Sequence, residues 1–561
     1  MNRNGNTIWK IAEPISEDVN EQLNSLPRGL RQLLFNRGIQ TINEAEIFLS
    51  VEGSIHDPYL IKDMDKAVKR IAEAIEKDEL IAVYGDYDVD GVTATALLCR
   101  VLESANAKAI PHIPNRFESG YGLNSESLDF LFDQGVKLVI TVDCGIRALK
   151  EVAHAGHLGL DIIVSDHHEP GNELPEAYAI LDHKRDGDSY PDKNLAGVGI
   201  AYKLSEALAE HLFPSIDIRE TIKENLDLVA VGTVADIVPL KGENRSLVKA
   251  GLKRLRKGSN PGLSSLAGAA MVKLDTLHAR DIGFIIGPRL NAAGRLGSAR
   301  TALDLLLSKN KSDTGLLAQL LDDQNRQRQN VTKDIQQRSK DIANYDEKDN
   351  LVFAVSQDFH KGVVGLAASR LTEEFYRPAV VGDQNEEFTV ASCRSINEFS
   401  IIDALDECED LLVKHGGHKM AAGFTVRNEH VEILRKRLMQ IADRELGDKD
   451  LKKEYRVDME IPLRKIPRNI LSGLEKLEPT GEKNPSVLFV SRNTQVLSAK
   501  KIGKDKSHLK LKLADGKVVY DAIAFRQADW ANDTPEEIDI LFSIEENTFM
   551  GKTTMQLNVK D

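Results

Sequence analysis

Apolar positions follow a different spacing in successive parts of the chain. From Met64 to Lys77 the sequence MDKAVKRIAEAIEK places apolar residues at helical intervals, with alternating charge on the other face. The stretch up to about residue 75 reads as mostly helical. Short apolar runs rich in β-branched residues then follow: Leu80–Tyr84 (LIAVY), Leu138–Val142 (LVITV), Asp161–Val164 (DIIV) and Leu228–Val234 (LVAVGTV). Helix-patterned segments such as Val92–Ala105 separate them, which predicts a parallel sheet in an α/β layer. The last run fits a buried helix equally well, because periodicity does not separate the two at this length.

From Gly315 to Tyr345 the chain is polar and long, without internal Gly or Pro, which predicts an extended helix joining two domains. A second α/β region begins near Leu351 (LVFAV) and runs to about Leu446. Beyond the charged stretch GDKDLKKEY, segments such as HLKLKL, VVYDAIAF and TTMQLNV alternate apolar and polar residues, as in a small barrel or sheet. The expected architecture is therefore α/β and multidomain. It comprises a helical segment at 1–75, a parallel-sheet domain at 76–310, a linking helix at 311–346, a smaller α/β domain at 347–448 and an OB-like β-barrel at 454–561.

The net charge of −14 argues against a protein that coats nucleic acid through overall basicity. It leaves room for a local basic groove, and bound cations would offset carboxylates gathered in a metal site. The four cysteines form no CxxC pair and read as free thiols in a reducing compartment. The N-terminus has no apolar signal core, and no apolar run approaches the roughly 18 residues of a membrane span, so a cytoplasmic protein is expected.

The chemistry begins at Tyr84, where the sequence reads YGDYDVDGV. Asp86, Asp88 and Asp90 follow an apolar strand directly, and alternate residues of an extended segment share a side. Like charges so close are costly without a cation, and oxygen donors suit hard ions such as Mg²⁺ or Mn²⁺. An EF-hand loop begins similarly but needs a bidentate Glu at its twelfth position, which here is Leu97. The second run ends in TVDCG with Asp143, the third in SDHHE with Asp166, His167 and His168, and the fourth leads to Asp236. Ligands of open α/β sheets bind at the carboxyl ends of strands. A single Asp there is commonly a cap or turn former, but several strand ends together point to a site. Mixed Asp and His donors favour Mn²⁺ over a pure Mg²⁺ site, and the number of acids suggests two ions sharing a carboxylate.

GDYDVDG, Pro114–Arg116 (PNR), TVDCG, SDHHE and VADIVPL resemble the successive motifs of the DHH phosphoesterase superfamily. ASCRS around Cys393–Ser395 and Gly416–Gly423 (GGHKMAAG) resemble its associated DHHA1 domain. Together with LNAAGRL, LEPTGEKNP, the linking helix and the β-rich tail, the order resembles the branch formed by bacterial single-stranded-DNA exonucleases. The resemblance implies Asp88, Asp90, Asp143, His167 and Asp236 as ligands of two Mn²⁺ or Mg²⁺ ions, with Asp143 bridging. It makes His168 a contact to the scissile phosphate or an aid to the leaving oxygen, with Asp86 and Asp166 as catalytic or orienting residues. Arg116 would contact phosphate, and Ser392 and Arg394 would hold the 5′-terminal phosphate. Some members place His where Tyr84 stands, so Tyr84 is not a ligand candidate, and a further C-terminal domain of some members is expected to be absent.

Other residues add to the reading. Gly416, Gly417 and His418 form a glycine-rich turn whose amides could cradle phosphate. Arg289 and Arg295 in GPRLNAAGRLG suit either the DNA backbone or helix packing. Lys500, Lys501, Lys504, Lys506 and Lys510 suit an OB-like barrel gripping single-stranded backbone, although a lysine run is more often a solvated face. The function expected is metal-dependent 5′→3′ hydrolysis of single-stranded DNA to mononucleotides in recombination and repair, by a monomer, with a single-strand-binding protein and a helicase as partners. The alternatives are a phosphodiesterase of nano-RNA or cyclic dinucleotides and a non-catalytic replication scaffold.

Overall fold

A computed structural model describes residues 7–50, 53–115, 122–346, 348–549 and 552–561. It separates into two compact units, one of Lys10–Asp322 with Arg456–Asp561 and the other centred on Asp323–Tyr455.

In the first unit a parallel sheet is built from β1 (Leu80–Gly85), β2 (Lys108–His112), β3 (Val136–Val142), β4 (Asp161–Ser165) and β5 (Ala179–Leu181), in the order β2-β1-β3-β4-β5. Both faces are covered, which is why the central strands read as unbroken apolar runs. Along β1, Ile81 and Val83 enter one core while Ala82 and Tyr84 enter the other. The chain leaves β1 toward β2 and returns on the other side to β3, so the order reverses between β1 and β3. Such a switch point opens a crevice at the carboxyl ends of the strands.

Three helices close on that crevice: α1 (Val89–Ser104), α2 (Gly197–Leu212) and α3 (Leu226–Ala235). Helix α3 resolves the open reading of Leu228–Val234: the run is a buried helix and not a fourth strand. Residues 227–233 are all buried, between α1, α2 and the Gly242–Leu255 helix. A helix surrounded by apolar partners is apolar all round and satisfies its backbone internally. Two strands without a long apolar run, β2 (KAIPH) and the three-residue β5 (AIL), complete the sheet instead.

The barrel belongs to the same unit. Strands β11 (Phe489–Ile502), β12 (His508–Asp515), β13 (Val518–Ala524), β14 (Glu537–Phe549) and β15 (Lys552–Val559) run in the order β11-β12-β13-β15-β14, and β14 pairs back onto β11 to close it. Its core is shared with the N-terminal helices: Leu30, Leu33 and Leu34 pack in one cluster with Leu463, Phe489, Leu509 and Phe542. The Met64–Glu76 helix instead contributes Val68 and Ile71 to the sheet domain. Arg245 fastens these layers together. Buried, and stacked 3.7 Å from the ring of Phe48, its guanidinium donates to the carbonyls of Phe48, Lys476, Leu477, Glu478 and Pro479.

The long helix spans Lys311–Ala343, and the boundary between the units falls within it. The second unit carries a sheet of β6 (Val352–Ser356), β7 (Ala379–Gln384), β8 (Phe388–Arg394), β9 (Leu412–His418) and β10 (Ala421–Arg427), ordered β9-β10-β8-β7-β6. The helix Val364–Phe375 packs on it. All four cysteines are buried free thiols.

Candidate functional site

The strand ends are aligned to bring their acids into one row. Gly85 is level with Val142, Val142 with Ser165, and Ser165 with Leu181. One residue further on, Asp86 N donates to Val142 O, Asp143 N to Ser165 O and Asp166 N to Leu181 O, at 3.4, 3.0 and 3.0 Å. Asp86, Asp143, Asp166 and Asp182 therefore succeed one another across the carboxyl edge.

Turn chemistry aims these side chains. Asp88 caps α1, its Oδ1 accepting from Asp90 N and Gly91 N. Asp90 then lies under the N-terminus of α2 and accepts from Gly197 N at 2.6 Å and Val198 N at 2.9 Å. Asp143 is held at φ +64, a left-handed conformation costly for a residue with a side chain. Gly197 permits this approach, since a Cβ there would lie 2.7 Å from Asp143 Cβ. Asp236 is delivered from the C-terminal end of α3, not from a strand, and Ile237 beside it is again left-handed at φ +59.

His167 Nε2 faces this cluster, 3.1 Å from Asp143 Oδ1, 3.5 Å from Asp236 Oδ2 and 3.8 Å from Asp90 Oδ2. Ligand atoms within 4.8 Å of one another form overlapping groups: Asp86, Asp88 and Asp143; Asp90, His167 and Asp236; Asp143, His167 and His168. Asp143 and His167 each belong to two. Among the described residues, Asp143 Oδ1 and His167 Nε2 are buried without a hydrogen bond. Buried polar atoms are normally paired, so their convergence fits a divalent cation held by hard oxygens and one imidazole. Asp86, expected as a catalytic or orienting residue, contributes an oxygen to the first group.

The acids respond to burial and to each other. Burial raises Asp236 to about 9 and Asp90 to about 7, and neighbouring carboxylates add to both. Asp143 is pushed well above the usual carboxylate range, first by burial and then by Asp90, Asp88, Asp236 and Asp86. His167 falls to about 3, through burial and the charge of His168, so its ring is neutral at pH 7. His168 behaves oppositely. Burial works against its charge, but the hydrogen bond and charge of Asp166 outweigh it and raise the pKa. Its Nδ1 lies 2.7 Å from Asp166 Oδ1, while its half-exposed ring reaches outward. A carboxylate only accepts, so Nδ1 carries the hydrogen. Asp166 also receives Ile146 N, His167 N and His168 N, which fixes the whole turn.

Sequence reasoning missed the contribution of β5. Asp182 and His183 follow it, both fully buried, and Lys184 Nζ sits 3.3 Å from Glu169, next to His168. A three-residue strand leaves too little pattern to find. Arg289 is committed to packing: it pairs with Asp322 at 2.8 Å and donates to Ile285 O. Arg295 is half-buried on the same helix, Gly287–Leu296. Arg116 lies outside the described residues.

In the second unit, Ser392 and Arg394 lie on one face of β8. A Cβ at Gly365, in the first turn of Val364–Phe375, would approach Arg394 Nη2 to 3.2 Å and Ser392 Oγ to 3.4 Å. The pairing Arg394–Ala421–His418 forms one row across β8, β10 and β9, and Ser392–Gly423–Gly416 forms another. Ser392, Arg394 and His418 thus share a face with a floor of small residues between them. This corrects the glycine-rich turn: Gly416, Gly417 and His418 are the end of edge strand β9, laddered to β10, with Gly417 at φ +146 where a Cβ would lie 2.4 Å from Ala421 O.

On the barrel, Lys500, Lys501, Lys504, Lys506 and Lys510 are all exposed, and Lys500 is level with Lys510. Next to the turn of the same hairpin His508 meets Phe525, ring centroids 5.2 Å apart. This aromatic pair was invisible as a sequence pattern because its members are far apart in the chain.

Fold and site together define a DHH phosphoesterase. Family models match as the DHH family N-terminal domain over residues 80–233, the DHHA1 domain over 348–444 and the RecJ OB domain over 457–561. The single-stranded-DNA-specific exonuclease RecJ of Bacillus subtilis strain 168 is 36% identical, covering 99% of this chain and 70% of that protein. The Escherichia coli K12 protein of the same name is 34% identical over 95% of each. The crystal structure of RecJ in complex with Mn²⁺ from Thermus thermophilus superposes with a TM-score of 0.85 at 30% identity, covering all of this chain and 80% of that one. The chain belongs to the RecJ family.

Proposed function

We propose that this protein is a divalent-metal-dependent 5′→3′ exonuclease that degrades single-stranded DNA to mononucleotides in recombination and repair. The observation that carries this is the set of overlapping ligand groups sharing Asp143 and His167 at the switch point of the sheet. Asp88, Asp90, Asp143, His167 and Asp236 would hold two ions, Mn²⁺ or Mg²⁺; Asp143 is shared by two of the ligand groups and Asp86 belongs to one. Bound there, such a pair polarises a phosphodiester and activates water at neutral pH.

The chain's own residues do the rest. Neutral His167 presents a lone pair, and the α2 amides steady Asp90 in its charged form. Asp166 holds His168 oriented and favours its protonated form, whose outward N–H can donate to the scissile phosphate or the departing oxygen. Ser392, Arg394 and His418 would receive the terminal phosphate, for which a guanidinium offers a bidentate fork. Arg295 and the barrel lysines would follow the backbone, with the His508–Phe525 pair as a base-stacking surface. Arg289, engaged by Asp322, would position its helix.

Among the described residues no helix is long and apolar enough to cross a membrane. Action in the cytoplasm as a monomer, alongside a single-strand-binding protein and a helicase, completes the proposal. The test is an assay with Mn²⁺ on 5′-labelled single strands, blunt duplexes and short RNA. Mononucleotides released from single-stranded DNA alone are expected. Preference for dinucleotide-length RNA, or no turnover, would overturn the reading.

A further inference from the structure

Phe284 is an anomaly in the first unit. It is 78% exposed, the most exposed large aromatic among the described residues, yet the residues two positions before and after it belong to the core: Ile282 is fully buried and Ile286 is 2% exposed. It sits in a π-helical turn, Ile282–Ile286, inserted directly before Gly287–Leu296. Such a turn adds a residue to the helix and recurs at functional positions.

The turn is anchored beside the acid cluster. A Cβ at Gly283 would lie 3.8 Å from Val234, two residues before Asp236, and one at Gly287 would lie 3.4 Å from Ala235 Cβ. Farther along, a Cβ at Gly294 would lie 2.9 Å from the carbonyl of Tyr87, inside the loop that carries Asp86, Asp88 and Asp90. The segment thus runs from one ligand-bearing element to the other, hugging both through glycines. It is also fixed at its ends. His278 and Asp281 cap its start, Arg280 pairs with Glu545 of the barrel at 2.9 Å, and Arg289 pairs with Asp322. Ile237, exposed at its left-handed turn beside Asp236, adds a second apolar surface at this edge.

A rigid aromatic face in water, beside a site that handles phosphodiesters, matches the flat apolar face of a nucleobase. We propose that Phe284 is a stacking platform for a base of the strand whose backbone crosses the acid cluster. The proposal rests on the nuclease reading and deepens it. Stacking accepts any base, and it would set the position of the end nucleotides relative to the acids without adding to the salt dependence of binding.

The test compares wild type with Phe284→Ala, Phe284→Leu and Phe284→Tyr, all as full chains, on a single-stranded oligonucleotide and on the same strand with abasic sites near its 5′ end. Phe284→Ala is expected to raise KM roughly 5- to 100-fold, the loss of about one base–aromatic stack, with kcat and the salt slope nearly unchanged. Phe284→Tyr should retain the wild-type KM and Phe284→Leu should not. Abasic sites should penalise wild type and leave Phe284→Ala indifferent. In chelator, wild type should quench a 2-aminopurine placed near the 5′ end, and Phe284→Ala should not. If wild type degrades the strand and Phe284→Ala matches it on both substrates, the inference alone falls. If wild type neither binds nor degrades single strands, the nuclease reading falls with it.

Discussion

The acid cluster and the Ser392–Arg394–His418 platform both suit phosphate, but they are built on opposite principles. The cluster buries like charges until they cannot all ionise, and it needs cations to become attractive to an anion. The platform presents donors and a guanidinium over a floor of Ala421 and Gly423, and it needs nothing further. The first arrangement suits bond breaking, where charge must be stabilised as it develops, and the second suits recognition of an end. Perturbing them should therefore change different kinetic quantities.

The largest effect expected is that of Asp143→Asn, which should lower kcat on every substrate by on the order of 10²–10³-fold or more, the scale of losing one preorganised electrostatic group. Arg394→Ala should leave kcat near wild type and raise KM for 5′-phosphorylated strands about 10- to 100-fold, as expected for a lost charged hydrogen bond. Strands with a 5′-hydroxyl should be little affected, and Arg394→Lys should restore little, because it lacks the planar fork. Loss of kcat on both kinds of end would dissolve the contrast.

Asp166→Asn should cost about 10- to 100-fold, the usual range for a residue that orients a site. It should also lower the pKa of His168, so the alkaline limb of the rate profile should move to lower pH. An unshifted limb would remove His168 as the proton donor.

The cluster also predicts a dependence on pH that reverses with metal. In chelator, the folded protein keeps protons on Asp90, Asp143 and Asp236 that the unfolded chain releases near pH 4. Stability without metal should therefore fall as pH rises from about 4 toward about 9. Mn²⁺ displaces those protons, so the rise in melting temperature on adding it should grow over the same range. A metal effect independent of pH would contradict the assigned ligands. The smallest effect belongs to the barrel. Lys500→Ala with Lys510→Ala should weaken single-strand binding modestly and reduce the salt slope by about 0.7 per lysine, whereas solvated lysines would change neither.

Legibility followed burial. Strands β1, β3 and β4 are covered on both faces, so their runs and the acids ending them could be read directly from the sequence. Helix α3 carried the same signal for a different reason, being apolar all round, yet Asp236 still reaches the cluster. β2 and β5 were missed because one contains Pro111 and the other has only three residues, and Asp182 and His183 were missed with β5. The platform as a whole was not legible, since Arg394 and His418 are brought level only across two strand pairings. Gly416–Gly417 has turn composition but lies in a ladder, because the left-handed opening at Gly417 is accommodated within the strand.

Arg245 has a consequence for how the barrel can be studied. Its guanidinium satisfies carbonyls from a loop of the barrel region and from the N-terminal helices at once. Removing the barrel would strand a buried cation among absent acceptors and strip Leu30, Leu33 and Leu34 of their core. The sheet domain and barrel should therefore melt in a single cooperative transition, and a truncated chain would report on misfolding before it reported on strand affinity.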